Sequence, residues 1–397
     1  MWVRMRFDIH WTDLISGLVS CCWPGDRTVA YQAAKQAWSD RNDFLITLSV
    51  RSGFDLLLRS LDLPHGSEVL LSALNVPDMA RIVRLHGLIP VPIDTDGFGT
   101  LGLDSFQRAI TCESKIVVVA HLFGRRMPMQ DILRIARENK LLVVEDNAQG
   151  FRQVGERTSP DTSDITMFSF GPIKTCTALG GAVLQFSGED LNDLREKMQQ
   201  EMDSDPIQSR FSFAKRTLRF MVLKFLTGRF ASRLVKQSLG WIGRDFDSLA
   251  SSSAQGFRSD NLLLQLRRQP SVPLLRLMRR RWLSFHPGRI ERRAKMGRCI
   301  DQIRGEETDP GNSYWVYPIF AQHPTAVRDQ LIEAGFDATC QARMSVIQPA
   351  DESRDVDTAN FWWKHVVFLP WYVELTDQAI EQMGQLLKSV ELLEEFP

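Results

Sequence analysis

The chain has 397 residues, enough for two domains with sizeable cores. Its 44% hydrophobic and 24% charged content is that of an ordinary folded protein, which excludes disordered and fibrous classes. Forty-eight basic residues cancel forty-eight acidic ones, so whole-chain charge selects no partner.

Its distribution says more. From Arg210 to Arg298 there are 21 Lys/Arg against 4 Asp/Glu, and from Cys299 to Pro397 there are 6 against 17. Such asymmetry points either to a polyanionic surface partner or to complementary packing between parts of the protein. Cys21, Cys22, Cys112, Cys176, Cys299 and Cys340 form no CxxC pair and no metal-ligand spacing, so reduced thiols in a cytoplasmic protein are expected, and no metal. Asp8, His10 and Asp13 interrupt any apolar core near the N-terminus, which does not read as a signal peptide. No run of eighteen apolar residues exists, so no spanning helix is expected.

Residues 1–44 read as a helical arm, with Trp11, Leu14, Ile15, Leu18 and Val19 at helical spacing and Pro24-Gly25 as a stop. Phe44–Leu48 is a short strand, and the polar turn Ser49–Gly53 leads into a helix through Leu61. Strand, tight turn, helix is how α/β proteins aim backbone N–H groups at a phosphate. Arg51 beside that turn is either a phosphate fork or the partner of a carboxylate. Gly66–Ser72 is the next strand, followed by a helix over Ala80–His86. Leu88–Asp94 and Ile116–Gly124 are further strands, the second opening into a loop after His121, and a helix over Met129–Glu138 leads to the apolar run at Leu141. β-Branched runs alternating with helices predict a mostly parallel sheet covered on both faces, with ligands at the carboxyl ends of its strands.

The stretch from Leu141 to Phe186 carries the chemistry. An apolar strand ends in Glu145-Asp146, and some thirty residues on come Ser169, Lys174 and Gly180-Gly181. A carboxylate and a lysine so placed suit pyridoxal phosphate (PLP): the amine forms a Schiff base, the carboxylate keeps the pyridine nitrogen protonated, and small polar residues approach the phosphate.

These residues, reading VVEDNAQ, FSFGPIK and ALGGA, resemble the DegT/StrS-type sugar aminotransferases, PLP enzymes of the aspartate-aminotransferase fold (fold type I), with a large parallel-sheet domain and a smaller C-terminal α+β domain. The resemblance implies that Lys174 carries the cofactor, Asp146 partners the pyridine nitrogen, Gln149 lies near the ring hydroxyl, and Ser169 is a phosphate ligand. By the same resemblance Ser52, Gly53 and Phe54 form the phosphate turn, with Phe54 replacing a hydroxyl residue so that only its N–H is left to serve. Val76 stands where the family places an aromatic ring on the cofactor face. A lysine at 174 implies transamination, since the dehydratase branch has histidine there. Glutamate or glutamine is the implied donor, and the implied acceptor is a keto group on a nucleotide-linked sugar or a related, even lipid-linked, molecule. A noncatalytic PLP-fold binding or regulatory protein is the alternative. A homodimer is implied.

Beyond Asp190–Met202, a helix, residues 209–244 hold nine Lys/Arg and no acidic residue, with an apolar face from Phe213 to Trp241. Two readings stand: peripheral contact with anionic membrane, or packing of the apolar face on protein. No nucleic-acid motif is present. Ala250–Gly256 is a Ser-rich loop. Asn261–Leu266 and an arginine-rich helix at Leu274–Phe285 occupy the place of the family's linking helices, without their usual signature. Tyr314–Phe320 and Val366–Pro370 are strands, and Thr325–Ala334 and Thr376–Leu393 helices, of the small domain. The expected plan is therefore an arm (1–44), a PLP-binding domain (45–203), a basic helical segment (204–298) and an α+β domain (299–397).

Overall fold

The structure is a computed structural model describing residues 2–97, 99–156, 163–227, 261–341, 344–350, 355–388, 390 and 393. Five strands that the sequence marks as apolar runs, β1 (Phe44–Thr47), β2 (Glu68–Ser72), β4 (Ile89–Ile93), β5 (Ser114–Ala120) and β6 (Leu142–Asp146), join β7 (Ile165–Ser169) and β8 (Ala182–Phe186) in one sheet. Its order is β1-β8-β7-β6-β5-β2-β4, parallel from β7 to β4, with β8 antiparallel to both neighbours. The parallel strands are buried along nearly their whole length, which is why they read as continuous rather than alternating runs.

Helices cover both faces. On one, α3 (Val50–Leu61) lies over β8 and β7, and Val118, Val144, Met167 and Leu184 share its core. On the other, Val117, Val119 and Val143 pack with Ile132, Ile135 and Ala136 of α6 (Gln130–Glu138) and with Phe106 of α5 (Leu103–Ala109). The remaining helices of this half are α4 (Pro77–Leu85) and α7 (Asn192–Ser204).

The arm forms α1 (Trp11–Cys22) and α2 (Arg27–Trp38), and within this chain both pack on the arginine-rich helices. After α8 (Arg210–Leu226) and a short α9 (Leu262–Leu266), α10 (Val272–Leu283) contacts α1, α2 and α8. α11 (Gly288–Arg304) begins the second core. That core holds the sheet β10-β12-β9 (Thr339–Cys340, Val366–Phe368, Pro318–Phe320) with α12 (Pro324–Glu333) and α14 (Asp377–Lys388). Trp2 bridges to Phe336, so the first residues of the chain join this small domain. Two short strands, β3 (Leu74–Asn75) and β11 (Ser345–Val346), pair across the cores, and α13 (Asp357–His365) packs beside them.

The basic segment finds its counter-charges inside the molecule. Asp13 is gripped by Arg280 and Arg281 at 2.8 and 2.7 Å, Arg289 meets Asp8 and Glu374, Arg292 meets Asp377, and Arg267 meets Asp55. For α10 and α11 this is the complementary-packing reading. In α8, Phe213, Thr217, Phe220 and Leu223 are buried, whereas Phe211, Leu218, Val222 and Phe225 face outward. Outward-facing Trp11, Ile15 and Val19 of α1 stand on the helix beside it. The rest of the 209–244 segment, and the Ser-rich loop, lie outside the described residues.

Candidate active site

Register places the predicted residues on one edge. Asp146, the last residue of β6, is opposite Ala120 of β5 and Met167 of β7, and Ser169 is two residues beyond Met167. Residues in register, or two apart, share a face of a sheet. Ser169 is opposite Ala182, and Ala182 opposite Thr47. Asp146, Ser169 and the end of β1 therefore point to the face on which α3 lies, with the first turn of α3 at the same carboxyl edge.

The Asp146 carboxylate is 9% exposed, and its Oδ1 accepts the Ala148 N–H at 2.9 Å. Burial raises its pKa, against that hydrogen bond and the charges of Lys174 and His121, which lower it. His121 is a backing residue: its Nδ1 accepts the Met127 N–H (3.3 Å), which leaves Nε2 to donate to Glu145 at 2.8 Å. Its backbone N–H donates to the Asp146 carbonyl at 3.1 Å.

Lys174 lies in a turn closed by its own N–H to the Gly171 carbonyl, 3.0 Å. Its Nζ stands 4.4 Å from the centre of the Trp315 ring, a cation–π contact. Trp315 comes from the small domain and was not legible as a site residue: the sequence places it inside a strand over Tyr314–Phe320, but regular pairing begins only at Pro318. Its position depends on Gly124, at φ +96°, where a Cβ would stand 2.4 Å from the Trp315 nitrogen. Ser313 reinforces the approach by donating its N–H to the Gly124 carbonyl at 3.0 Å.

Beyond the lysine the loop is clamped residue by residue. Arg293 donates to the Thr175 hydroxyl at 2.8 Å, Asp8 accepts the Cys176 N–H at 2.9 Å, and Arg281 donates to the Thr177 carbonyl at 3.1 Å. Cys176 (φ +57°) and Leu179 (φ +63°) both adopt the left-handed region that non-glycine residues avoid. Burial pushes the Cys176 thiol up to about 12, so this cysteine is an inert thiol two residues from the lysine.

The other expected positions are placed as follows. Gln149 accepts the Phe123 N–H at 2.8 Å and turns its amide nitrogen toward the Met344 sulfur, 3.6 Å. Ser52 shares a 3.0 Å hydroxyl contact with Ser49, whose Oγ caps α3 by accepting the Ser52 N–H at 3.1 Å. The Gly53 N–H donates to the Ser49 carbonyl, and a Cβ there would meet Leu184 Cδ1 at 2.3 Å, so this glycine admits the helix to the sheet. Phe54 is wholly buried in the main core. Arg51 pairs with Asp78, the carboxylate alternative of the two. Val76 caps α4 on the edge, half-buried, beside an Asn75 amide nitrogen that is buried with no hydrogen-bond partner among the described residues.

The set fits PLP. The Ser169 hydroxyl accepts a long Gly171 N–H contact (3.4 Å) as its one hydrogen bond among the described residues, which leaves its proton to donate. A buried carboxylate with a raised pKa suits a cationic ring nitrogen, and the Lys174 charge acts on that carboxylate.

The fold is that of the fold type I PLP-dependent transferases. The sugar aminotransferase CalS13 from Micromonospora echinospora superposes with a TM-score of 0.68 over 98% of this chain and 100% of its own at 17% identity. The model of the DegT/DnrJ/EryC1/StrS aminotransferase family matches residues 23–210, which bears out the resemblance drawn from the motifs. Two relatives align to part of the chain. GDP-perosamine synthase of Escherichia coli O157:H7 is 23% identical over 186 residues, 46% of this chain and 51% of its own length. The UDP-N-acetyl-3-dehydro-alpha-D-glucosamine 3-aminotransferase of Acidithiobacillus ferrooxidans is 33% identical over 134 residues, 32% of this chain and 36% of its own. The chain thus spans from about a third to about half the length of these relatives.

Proposed function

We propose that this protein is a PLP-dependent aminotransferase that moves an amino group from a small donor, glutamate or glutamine, to a keto group on a nucleotide-linked sugar or a related acceptor. The observation that supports it most is the electrostatic coupling of Lys174 to a buried Asp146 on an edge that also presents Ser169 and the first turn of α3. The relatives that act on nucleotide-linked sugars support the acceptor class.

Bound PLP supplies an electrophilic carbon and a ring that accepts electrons from an attached amino acid. Lys174 Nζ would hold that carbon, and its amine, when released, would be the group placed to carry a proton. Asp146 would partner the ring nitrogen and keep a proton on it, and Gln149 would serve near the ring hydroxyl. Ser169 and the α3 turn would hold the phosphate, with Val76 at the edge of the large domain and Trp315 from the small domain bounding the site.

Borohydride reduction of protein incubated with PLP, followed by peptide mass spectrometry, should place the adduct on Lys174, and Lys174→Ala should yield none. An adduct elsewhere, or a visible band that survives in Lys174→Ala, overturns the assignment. A screen of amino donors should convert the cofactor to pyridoxamine phosphate; binding without conversion by any donor marks the noncatalytic alternative.

The protein is proposed to act as a homodimer, which light scattering tests. None of the described helices is long and apolar enough to cross a membrane. Peripheral contact draws its support from the outward row Phe211, Leu218, Val222 and Phe225 beside Arg210, Lys215 and Arg219. Flotation with anionic liposomes at low salt tests it, and absence of co-flotation removes it.

A further inference from the structure

We infer that Arg216, on α8, is a ligand of the cofactor phosphate, so that the basic helix closes the phosphate cradle from within the same chain. The inference rests on the PLP reading above and adds a residue that neither the motifs nor the family resemblance marks.

Phe213, Thr217 and Phe220 anchor one side of α8 in the core, and this anchoring carries the half-buried Arg216 to the sheet edge. There its Nη1 donates to the Leu179 carbonyl at 3.2 Å. It lies 3.1 Å from where a Cβ of Gly180 would be, so the glycine leaves room for the guanidinium. The Leu179–Gly181 backbone is in turn stitched to both phosphate-side strands. The Gly180 N–H donates to the Phe170 carbonyl at 3.1 Å, one residue past Ser169, and the Gly181 N–H to the Leu48 carbonyl at 2.8 Å, one residue before the cap of α3. Arg216 therefore stands at the junction of the Ser169 strand end and the α3 N-terminus.

Its surroundings select an anion. Among the described residues Arg216 makes no salt bridge, whereas Arg51 in the α3 turn has Asp78. Burial, and after it the charge of Arg51, depress the Arg216 pKa, so this guanidinium is buried within electrostatic reach of a second cation. With Asp78 taken up by Arg51, a guanidinium without a carboxylate of its own beside the start of a helix is stabilised by an anion. A phosphate monoester, with up to two charges and three acceptor oxygens, matches a guanidinium fork.

The test compares PLP with pyridoxal, which lacks the phosphate, by equilibrium dialysis on the wild-type chain, Arg216→Gln and Arg216→Lys. Loss of one charge-assisted contact should weaken PLP binding about tenfold or more in Arg216→Gln and less in Arg216→Lys, with pyridoxal affinity unchanged. The phosphorus NMR signal of bound PLP should hold one position across neutral pH in the wild type and titrate in the variants. Should Arg216→Gln fail to fold, Arg216→Lys and the phosphorus signal decide the matter. PLP affinity within about twofold of wild type, or equal losses for PLP and pyridoxal, overturns the inference. A wild-type chain that takes up no PLP sinks the functional reading and this with it, whereas normal uptake indifferent to Arg216 sinks this alone.

Discussion

At the scale of the residue, Asp146 shows how the site is set against the fold. Its folded pKa lies above the ordinary 3.8, chiefly through burial. Between those two values the folded state holds more proton than the unfolded one, so stability falls as pH rises through that window and the penalty is complete above the folded value. Asp146→Asn should therefore raise the melting temperature of the cofactor-free protein near neutral pH and flatten its acid-side slope, while PLP affinity drops; calorimetry from about pH 4 to 7 checks the first part. Gly53→Ala tests a second balance. Alanine gains about 1 kcal/mol in a helix interior, but its Cβ would press on Leu184, itself fully buried. Overpacking costs about 1–3 kcal/mol, so the net should be destabilising by about 1 kcal/mol in denaturant titration. The motif residues were legible because their types and order carry the chemistry. What Gly53 does was not, since its neighbour Leu184 lies far off in sequence.

At the scale of elements, the lysine loop is held by α10, α11 and Asp8 as well as by Phe170 at the end of its own strand. Arg281 bridges buried Asp13 of α1 and the Thr177 carbonyl. Removing one partner of a buried ion pair costs about 3–5 kcal/mol. Arg281→Met should thus destabilise by that order and broaden the visible band of bound PLP as the loop relaxes, and thermal melts with absorbance spectra check both. These helices also explain where reading the sequence stops. β4, β5 and β6 bury both faces and appear as apolar runs, whereas α11 buries Arg293, Gly297 and Asp301, and so lacks the apolar stripe that betrays a helix. β3 and β11, two residues each, are too short to leave a periodic signal at all.

At the scale of the molecule, the site is a seam. Asp146 and Ser169 belong to the large sheet and Lys174 to the loop after β7, while Trp315 over the amine and Met344 beside Gln149 belong to the second half of the chain. Ligand binding should therefore stabilise both parts together. PLP at one hundred times its Kd should add about 2.7 kcal/mol, seen as one upward-shifted transition in calorimetry; a shift confined to one of two transitions contradicts it. The seam also shows why the departures at Phe54 and Val76 were hard to weigh from sequence: one lies in the core of the large domain, the other at the edge where the two halves meet.

The position of β1 has a consequence in time. It is the earliest strand made, yet its one partner in the sheet is β8, more than a hundred residues later. A ribosome adding about 5–20 residues per second needs on the order of ten seconds to supply that partner. Until then the serines that follow β1 have no strand to bring them to the lysine. The cofactor pocket is accordingly among the last features of the large domain to come into being, and a nascent chain halted before residue 182 should present β1 to protease while β2, β4, β5 and β6 are already paired.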